Sequence, residues 1–132
     1  MLFAYTIVYV SDVEATLSFY ENAFGFTRRF ITEEKDYGEL ATGSTVLSFA
    51  SESMAEYNKL AIVKNTPDAP EAPGIELAFA TEDPAKAFQD ALTHGATEVV
   101  PLTEKPWGQT VGYVRDINGV LIEICTPMQA PA

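Results

Sequence analysis

The sequence carries one pattern twice: an extended segment, a helix and three further extended segments. Equivalent positions in the two copies lie at a nearly constant distance, since Asp12 and Asp83 are 71 residues apart and Gly25 and Gly95 are 70 apart. A chain of 132 residues, 47% of them hydrophobic, is long enough for one compact domain or for two small halves that share a core. The repeat therefore predicts two modules with the same order of strands around their helices.

The first copy begins with a strand at 3–10, where aromatic and β-branched residues alternate. Ser11 and Glu14 have the spacing of a capping box, which predicts that a helix starts there, and Gly25 can take the left-handed conformation that ends it. The N-terminal apolar stretch lacks a basic leader and a cleavage site, so we expect a strand and not a signal peptide. The remaining strands are predicted at 26–31, 38–42 and 45–50.

A proline-rich segment separates the two copies. Residues 65–73 contain three prolines, which cannot donate to a sheet ladder and stiffen the backbone, so we interpret them as a linker between modules at about 1–64 and 74–127. A short helix is predicted within 51–61, with Ser53 starting a weaker capping box.

The second copy repeats the order. A strand at 75–80 is followed by Asp83 and Pro84 as cap and first helical residue, and three strands follow at 96–100, 109–115 and 120–125. Asn118-Gly119 is the dipeptide that a two-residue type I′ hairpin turn favours, because both of its positions need positive φ.

Two of these apolar strands each contain one glutamate, Glu76 and Glu123. A carboxylate removed from water needs a metal, a cation or hydrogen bonds to hold its charge, or it takes up a proton. Two interpretations are open. Each glutamate can lie on the wet face of an antiparallel strand, or the two can face inward and form one site.

Charge and cysteine content limit the class of partner. The balance of 19 acidic against 8 basic residues gives a net charge of −11, which argues against nucleic acid and anionic membranes and favours a cationic or neutral small ligand. Cys125 is the single cysteine, so no internal disulfide is possible and we expect a cytoplasmic protein. No apolar run approaches the roughly 20 residues that span a bilayer.

A paired strand-helix-three-strand unit that ends in D-x-N-G-x-x-x-E resembles the vicinal oxygen chelate superfamily, which includes glyoxalase I, extradiol dioxygenases and the bleomycin-resistance proteins. The resemblance covers nearly the whole chain. It implies a single domain of the α+β class, in which two βαβββ modules form a cup-shaped, eight-stranded mixed sheet with the helices outside. It rests on Tyr9-Val10-Ser11-Asp12, Phe19-Tyr20, Gly25-Phe26, Trp107-Gly108-Gln109 and the segment from Asp116 to Glu123.

The resemblance also implies where ligands bind, because metal ligands in that superfamily come from the first and fourth strands of each module. The repeat places these positions at Tyr5, Ser48, Glu76 and Glu123. Only Glu123 matches the usual metal-binding pattern, and His94, the single histidine, lies at a helix end. We therefore expect no tightly bound metal and no other cofactor, although Glu76 and Glu123 with waters suit a weak hard cation such as Mg²⁺.

Three functions are compatible with these features. The first is a binding protein that sequesters a flat cationic or polar compound in an aromatic, carboxylate-floored cup. The second is a divalent-metal-dependent lyase, isomerase or dioxygenase, and the third is a regulatory module with a vestigial cup. No catalytic triad is present, so no catalytic residue is assigned, and the incomplete metal-ligand set favours binding over catalysis. We expect a homodimer and ligand contacts from Tyr5, Ile7, Ser48, Glu76, Trp107 and Glu123.

Overall fold

The computed structural model describes residues 1–128. The chain divides into a first compact unit, Met1–Asn65, and a second that begins at Thr66. At 12 residues, α1 is the longest described helix, and no helix within 1–128 is long and apolar enough to cross a membrane. The elements are β1 Thr6–Val10, α1 Val13–Phe24, β2 Thr27–Ile31, β3 Tyr37–Ala41, β4 Val46–Ser51, α2 Glu52–Tyr57, β5 Glu76–Ala80, α3 Pro84–Thr93, β6 Thr97–Glu104, β7 Thr110–Arg115 and β8 Leu121–Cys125.

The two units have the same sheet topology. Each holds one four-stranded sheet, in the order β1-β4-β3-β2 and β5-β8-β7-β6, with one parallel pair and two antiparallel pairs. Ile7 pairs with Ser48, and Ala78 pairs with Glu123, so the registers match as the repeat predicts. The α+β fold of two βαβββ modules is confirmed, with its eight strands in two four-stranded sheets.

One face of each sheet is covered by the helix of the same unit. In the first unit Leu17 of α1 approaches the sheet so closely that a Cβ at Gly38 would lie 2.6 Å from its Cδ1. In the second unit Phe88 of α3 does the same over Gly112, where a Cβ would lie 2.9 Å from its ring. Glycine at these two positions permits the close packing of helix on sheet in both units. We call the face of each sheet that lies opposite its helix the open face.

The helix starts differ from the sequence prediction. Asp12, and not Ser11, caps α1, since its Oδ1 accepts a hydrogen bond of 2.9 Å from the Ala15 amide. Ser51, and not Ser53, caps α2, whereas the predicted cap at Asp83 is confirmed. Asp12 has the extended φ of −140° that an N-cap residue adopts, so the helix begins one residue later than the Ser11 capping box requires.

The turn between β7 and β8 is also not the predicted type I′ turn. Gly119 has a φ of +89°, but Asn118 is not among the residues with positive φ. The Asp116 amide donates to the Val120 carbonyl at 2.9 Å, and the Gly119 amide donates to the Asp116 carbonyl at 3.0 Å, which makes a three-residue loop. The buried Asp116 carboxylate selects this loop because its Oδ1 accepts from the amides of Asn118 and Val120.

Two strand boundaries also differ from the prediction by more than one residue. The first strand begins at Thr6 instead of residue 3, and β6 runs from Thr97 to Glu104 instead of stopping at residue 100. β6 extends because the partner strand β7 continues its ladder as far as the pair of Glu104 with Thr110. Pairing across the sheet, which the local sequence does not specify, sets both ends.

Candidate functional site

The structure brings Glu76 and Glu123 onto the same open face of the second sheet. Ile122 and Ile124 are buried on the helix side, so Glu123 between them points to the opposite side. Glu123 pairs with Ala78 of β5, and Glu76 lies two residues before Ala78, which puts both carboxylates on one face. The predicted convergence of this pair with Tyr5 and Ser48, which belong to the first unit, stays a prediction.

Glu123 is held by a phenol. The Tyr113 hydroxyl donates to Glu123 Oε1 at 3.1 Å, and Tyr113 is the residue that pairs with Glu123 across β7 and β8. Burial raises the pKa of Tyr113 above its usual value, and the hydrogen bond to Glu123 and the charge of that carboxylate raise it further. Tyr113 therefore stays protonated at neutral pH and serves as a fixed donor that positions the Glu123 carboxylate.

The charged form of Glu76 is destabilised beside Glu123. Partial desolvation of its carboxyl raises the pKa of Glu76, and the charge of Glu123 raises it further. Among residues 1–128, no lysine or arginine forms an ion pair with either carboxylate. Two neighbouring carboxylates destabilise each other's charged forms, which is the second cause of the raised pKa of Glu76.

Cys125 lies beside the carboxylates without being a nucleophile. Burial raises the pKa of its thiol to about 11, and the nearby Glu123 carboxylate acts in the same direction. The thiol also lies 3.7 Å from the Phe79 carbonyl, to which it donates. A thiol with so high a pKa is protonated at neutral pH and is therefore a poor nucleophile.

Trp107 stands at one end of the second unit with its orientation fixed by hydrogen bonds. Its Nε1 donates to Gln109 Oε1 at 2.8 Å, and Gln109 Nε2 donates to the Thr126 carbonyl at 2.9 Å. Trp107 is 64% exposed. It borders a cleft of about 780 Å³ lined by Glu82, Trp107, Gly108, Gln109, Thr110, Thr126, Pro127 and Met128. An exposed aromatic ring that is already oriented suits stacking against a flat ligand.

The first open face carries a different polar network. Ser48 is buried there, and Ile7 lies beside it as its pairing partner. The Tyr37 hydroxyl donates to Glu39 Oε2 at 2.7 Å and lies 3.0 Å from Ser48 Oγ. Burial is the main cause of the raised pKa of Tyr37. Glu39 differs from Glu76 and Glu123 because it has a cationic partner, with Arg29 Nε 3.4 Å from its Oε1.

Sequence reasoning missed the residues on the third strand of each unit. Glu39 pairs with Ser48, and Tyr113 pairs with Glu123, so both lie directly across from a predicted site residue. Tyr5 precedes β1 and is exposed. Side chains alternate between the two faces along each third strand. Counting this alternation from the hairpin turns would have identified Tyr37, Glu39 and Tyr113.

The donor set around Glu123 does not fit a transition-metal site. Within residues 1–128, no three histidine, cysteine, aspartate or glutamate side chains are grouped closely enough to hold a metal ion. Glu76 and Glu123 offer hard oxygen atoms, and the protonated Cys125 thiol is a poor ligand. His94 is engaged elsewhere, since its Nδ1 lies 2.8 Å from the Asp90 carbonyl at the end of α3. The carboxylate oxygens of Glu76 and Glu123 are the type of ligand that a hard cation such as Mg²⁺ prefers.

Comparisons with known proteins agree with the observed topology. The family model described as Glyoxalase/Bleomycin resistance protein/Dioxygenase superfamily matches residues 2–124. A glyoxalase-related enzyme from Fulvimarina pelagi is 21% identical with a TM-score of 0.78, and the match covers 96% of this chain and 88% of that one. A protein of unknown function from Agrobacterium tumefaciens is 23% identical with a TM-score of 0.77, over 97% and 95% of the two chains.

A third solved structure is similar in the same way. It is a glyoxalase/bleomycin resistance protein/dioxygenase family enzyme from Burkholderia phytofirmans, 22% identical with a TM-score of 0.72, and the match covers 93% of this chain and 96% of that one. No curated protein matches the chain. At these identities the structural likeness concerns the fold alone.

Proposed function

The chain belongs to the glyoxalase/bleomycin resistance protein/dioxygenase superfamily, and from this premise we propose that it binds a small, flat, cationic molecule on the open face of its second sheet. One observation carries the proposal: Glu76 and Glu123 share that face without an ion pair to any described lysine or arginine. The protein sequesters the ligand in this account and does not convert it.

The charge of the face explains why the ligand is a cation. Desolvation is the main cause of the raised pKa of Glu76, and the charge of Glu123 raises it further, because two nearby carboxylates raise each other's free energy when both are ionised. A ligand cation placed beside them removes the repulsion and supplies the missing counter-charge. Tyr113 holds Glu123 in place before the ligand arrives, so less ordering is needed on binding.

The second part of the proposal concerns ligand shape. Gln109 orients the Trp107 indole and is itself bonded to the carbonyl of Thr126, three residues from Glu123. A flat ring stacked on Trp107 gains both aromatic contact and, where it carries the positive charge, a cation–π interaction. Tyr5, Ile7 and Ser48, which belong to the first unit, remain proposed ligand contacts.

We also propose a homodimer in the cytoplasm. Large apolar side chains are exposed on the chain, among them Leu2, Phe3, Tyr57 and Val63, and a second copy could cover them. Light scattering at micromolar concentration measures this directly, and the mass of one chain would contradict it.

A thermal-shift titration with proflavine, a flat aromatic cation, tests the proposed function. We expect proflavine to raise the Tm of the protein at pH 7 with saturation, because a ligand that binds only the native state stabilises it by about 2.7 kcal/mol at a hundred times its Kd. Benzoate at the same concentration should produce a smaller shift. No shift with proflavine up to its solubility limit would contradict the proposal. Equal protection by stoichiometric Zn²⁺ would instead favour the metal-dependent lyase, isomerase or dioxygenase class.

A further inference from the structure

Each sheet has a β-bulge at the same place in its second strand. The pairing of β2 with β3 shifts register between Arg28 and Phe30, and the pairing of β6 with β7 shifts between Glu98 and Val100. A bulge inserts one unpaired residue and turns the side chains that follow it. Its unpaired residue is Arg29 in the first unit.

The bulge puts two consecutive side chains on the first open face. Arg28 points to the helix side, where it forms ion pairs with two glutamates of α1. Strict alternation would return Phe30 to that side. Instead the Phe30 ring lies 5.9 Å from the Tyr37 ring, and Arg29 Nε lies 3.4 Å from Glu39 Oε1, so both residues lie beside side chains of the open face.

Glu39 contacts the Arg29 guanidinium but does not occupy all of its hydrogen-bond donors. The Glu39 side chain is only 12% exposed, and its other oxygen, Oε2, accepts from the Tyr37 hydroxyl. The shortest approach of Arg29 to Glu39 is the one from Nε, and within residues 1–128 the terminal amino groups of Arg29 donate no hydrogen bond. The Arg29 side chain is 50% exposed, so these donors are open to a ligand.

We propose that Arg29 and Phe30 form a second binding site, in the first unit, for a carboxylate joined to an aromatic or apolar body. The terminal nitrogens of Arg29 match a carboxylate in a two-bond geometry, and the ring of Phe30, a residue that is 44% exposed, packs against the body of the ligand. This site goes beyond the proposed function because it lies in the other unit and selects the opposite charge.

The local charges favour an anion here despite the net charge of −11. Glu39 is already paired with Arg29, so an incoming cation meets a guanidinium and no free carboxylate. The second unit carries Val99 at the equivalent bulge position, and its carboxylates have no such partner. Repulsion from distant acidic residues is screened beyond about 8 Å at 0.15 M salt.

Chemical-shift mapping of the ¹⁵N-labelled protein with sodium benzoate at 0.15 M salt tests the proposal. We expect saturable shifts of the amides of Arg29, Phe30 and Glu39, with benzylamine producing none of them. Arg29→Gln should weaken benzoate binding by about tenfold or more, the loss expected for one charge-assisted bidentate contact. Lys59→Gln, which makes the same charge change on the same unit, should leave it unchanged.

Three outcomes would contradict the proposed site. The first is an absence of shifts at about 20 mM benzoate, a concentration at which a site with a millimolar Kd is mostly filled. The others are equal shifts with benzylamine and equal weakening of benzoate binding by Lys59→Gln. Arg29→Lys supplies a second variant that keeps the charge and loses the paired donors, and we expect its affinity to lie between those of the wild type and Arg29→Gln. Because the proposed cation site is on the second unit and the benzoate shifts are read at residues of the first, failure of either proposal leaves the other standing.

Discussion

Replacing Glu76 and Glu123 together by glutamine is expected to weaken proflavine binding at pH 7 by about a hundredfold or more. Each lost contact to a charged group costs about 1.5–3 kcal/mol, and 1.4 kcal/mol corresponds to a factor of ten in Kd. Glutamine keeps the shape and a hydrogen-bonding oxygen for Tyr113, so the sheet itself should persist. A fluorescence titration of proflavine against each purified variant measures the change.

Glu39→Gln is the matched control for this loss. It removes one negative charge from the other open face, where Arg29 already compensates the carboxylate. We expect its Kd for proflavine to stay within about twofold of the wild type, since only long-range and largely screened charge is lost. An unchanged Kd in the double variant, or an equal loss in Glu39→Gln, would show that the cation binds elsewhere.

Gly119→Ala is expected to destabilise the protein more than any other single glycine-to-alanine change at a positive-φ position. Gly119 has a φ of +89°, and a Cβ there would lie 2.3 Å from the Thr66 carbonyl oxygen. That carbonyl cannot move aside freely, because Arg115 Nη2 donates to it at 3.2 Å and Arg115 Nη1 donates to the Ala69 carbonyl at 2.6 Å. The substitution therefore combines backbone strain with a collision against fixed backbone.

Gly43→Ala separates these two effects. Gly43 has a φ of +102°, but a Cβ there meets nothing within 4 Å. We expect Gly43→Ala to lower the free energy of unfolding by about 1–2 kcal/mol, the cost of left-handed backbone alone. Gly119→Ala should lose about 1–3 kcal/mol more from the forced contact. Urea unfolding of both variants measures the difference, and equal midpoints would contradict the account of a collision at Thr66.

The repeat predicted the topology because equivalent residues in similar modules take equivalent places in the ladder. The pairs of Ile7 with Ser48 and of Ala78 with Glu123 follow from the offsets between the copies. The shared face of Glu76 and Glu123 then follows from strand alternation alone. These features depend on the alternation of side chains along the strands and on the offset between the copies, both of which can be read directly from the sequence.

The rest of the site depends on contacts that periodicity does not state. Tyr113 lies beside Glu123 because the loop held by Asp116 sets the register of β7 against β8, and the predicted turn was of another type. Arg29 reaches Glu39 because of the bulge in β2, and no residue pattern within 27–31 indicates that bulge. Register and bulges are decided by packing across the sheet, so third-strand residues were missed.

A ¹³C nuclear magnetic resonance titration of the Glu76 carboxyl, with and without saturating proflavine, tests the central claim most directly. Without ligand, we expect the pKa of Glu76 to lie above the usual value of a glutamate, because desolvation and the charge of Glu123 favour its protonated form. A cation bound beside it favours the charged form, so proflavine should lower this pKa. By linkage, affinity should be highest above the ligand-free pKa and fall as the pH drops through it. A Glu76 pKa that proflavine leaves unchanged or raises would contradict the claim that these carboxylates bind the cation.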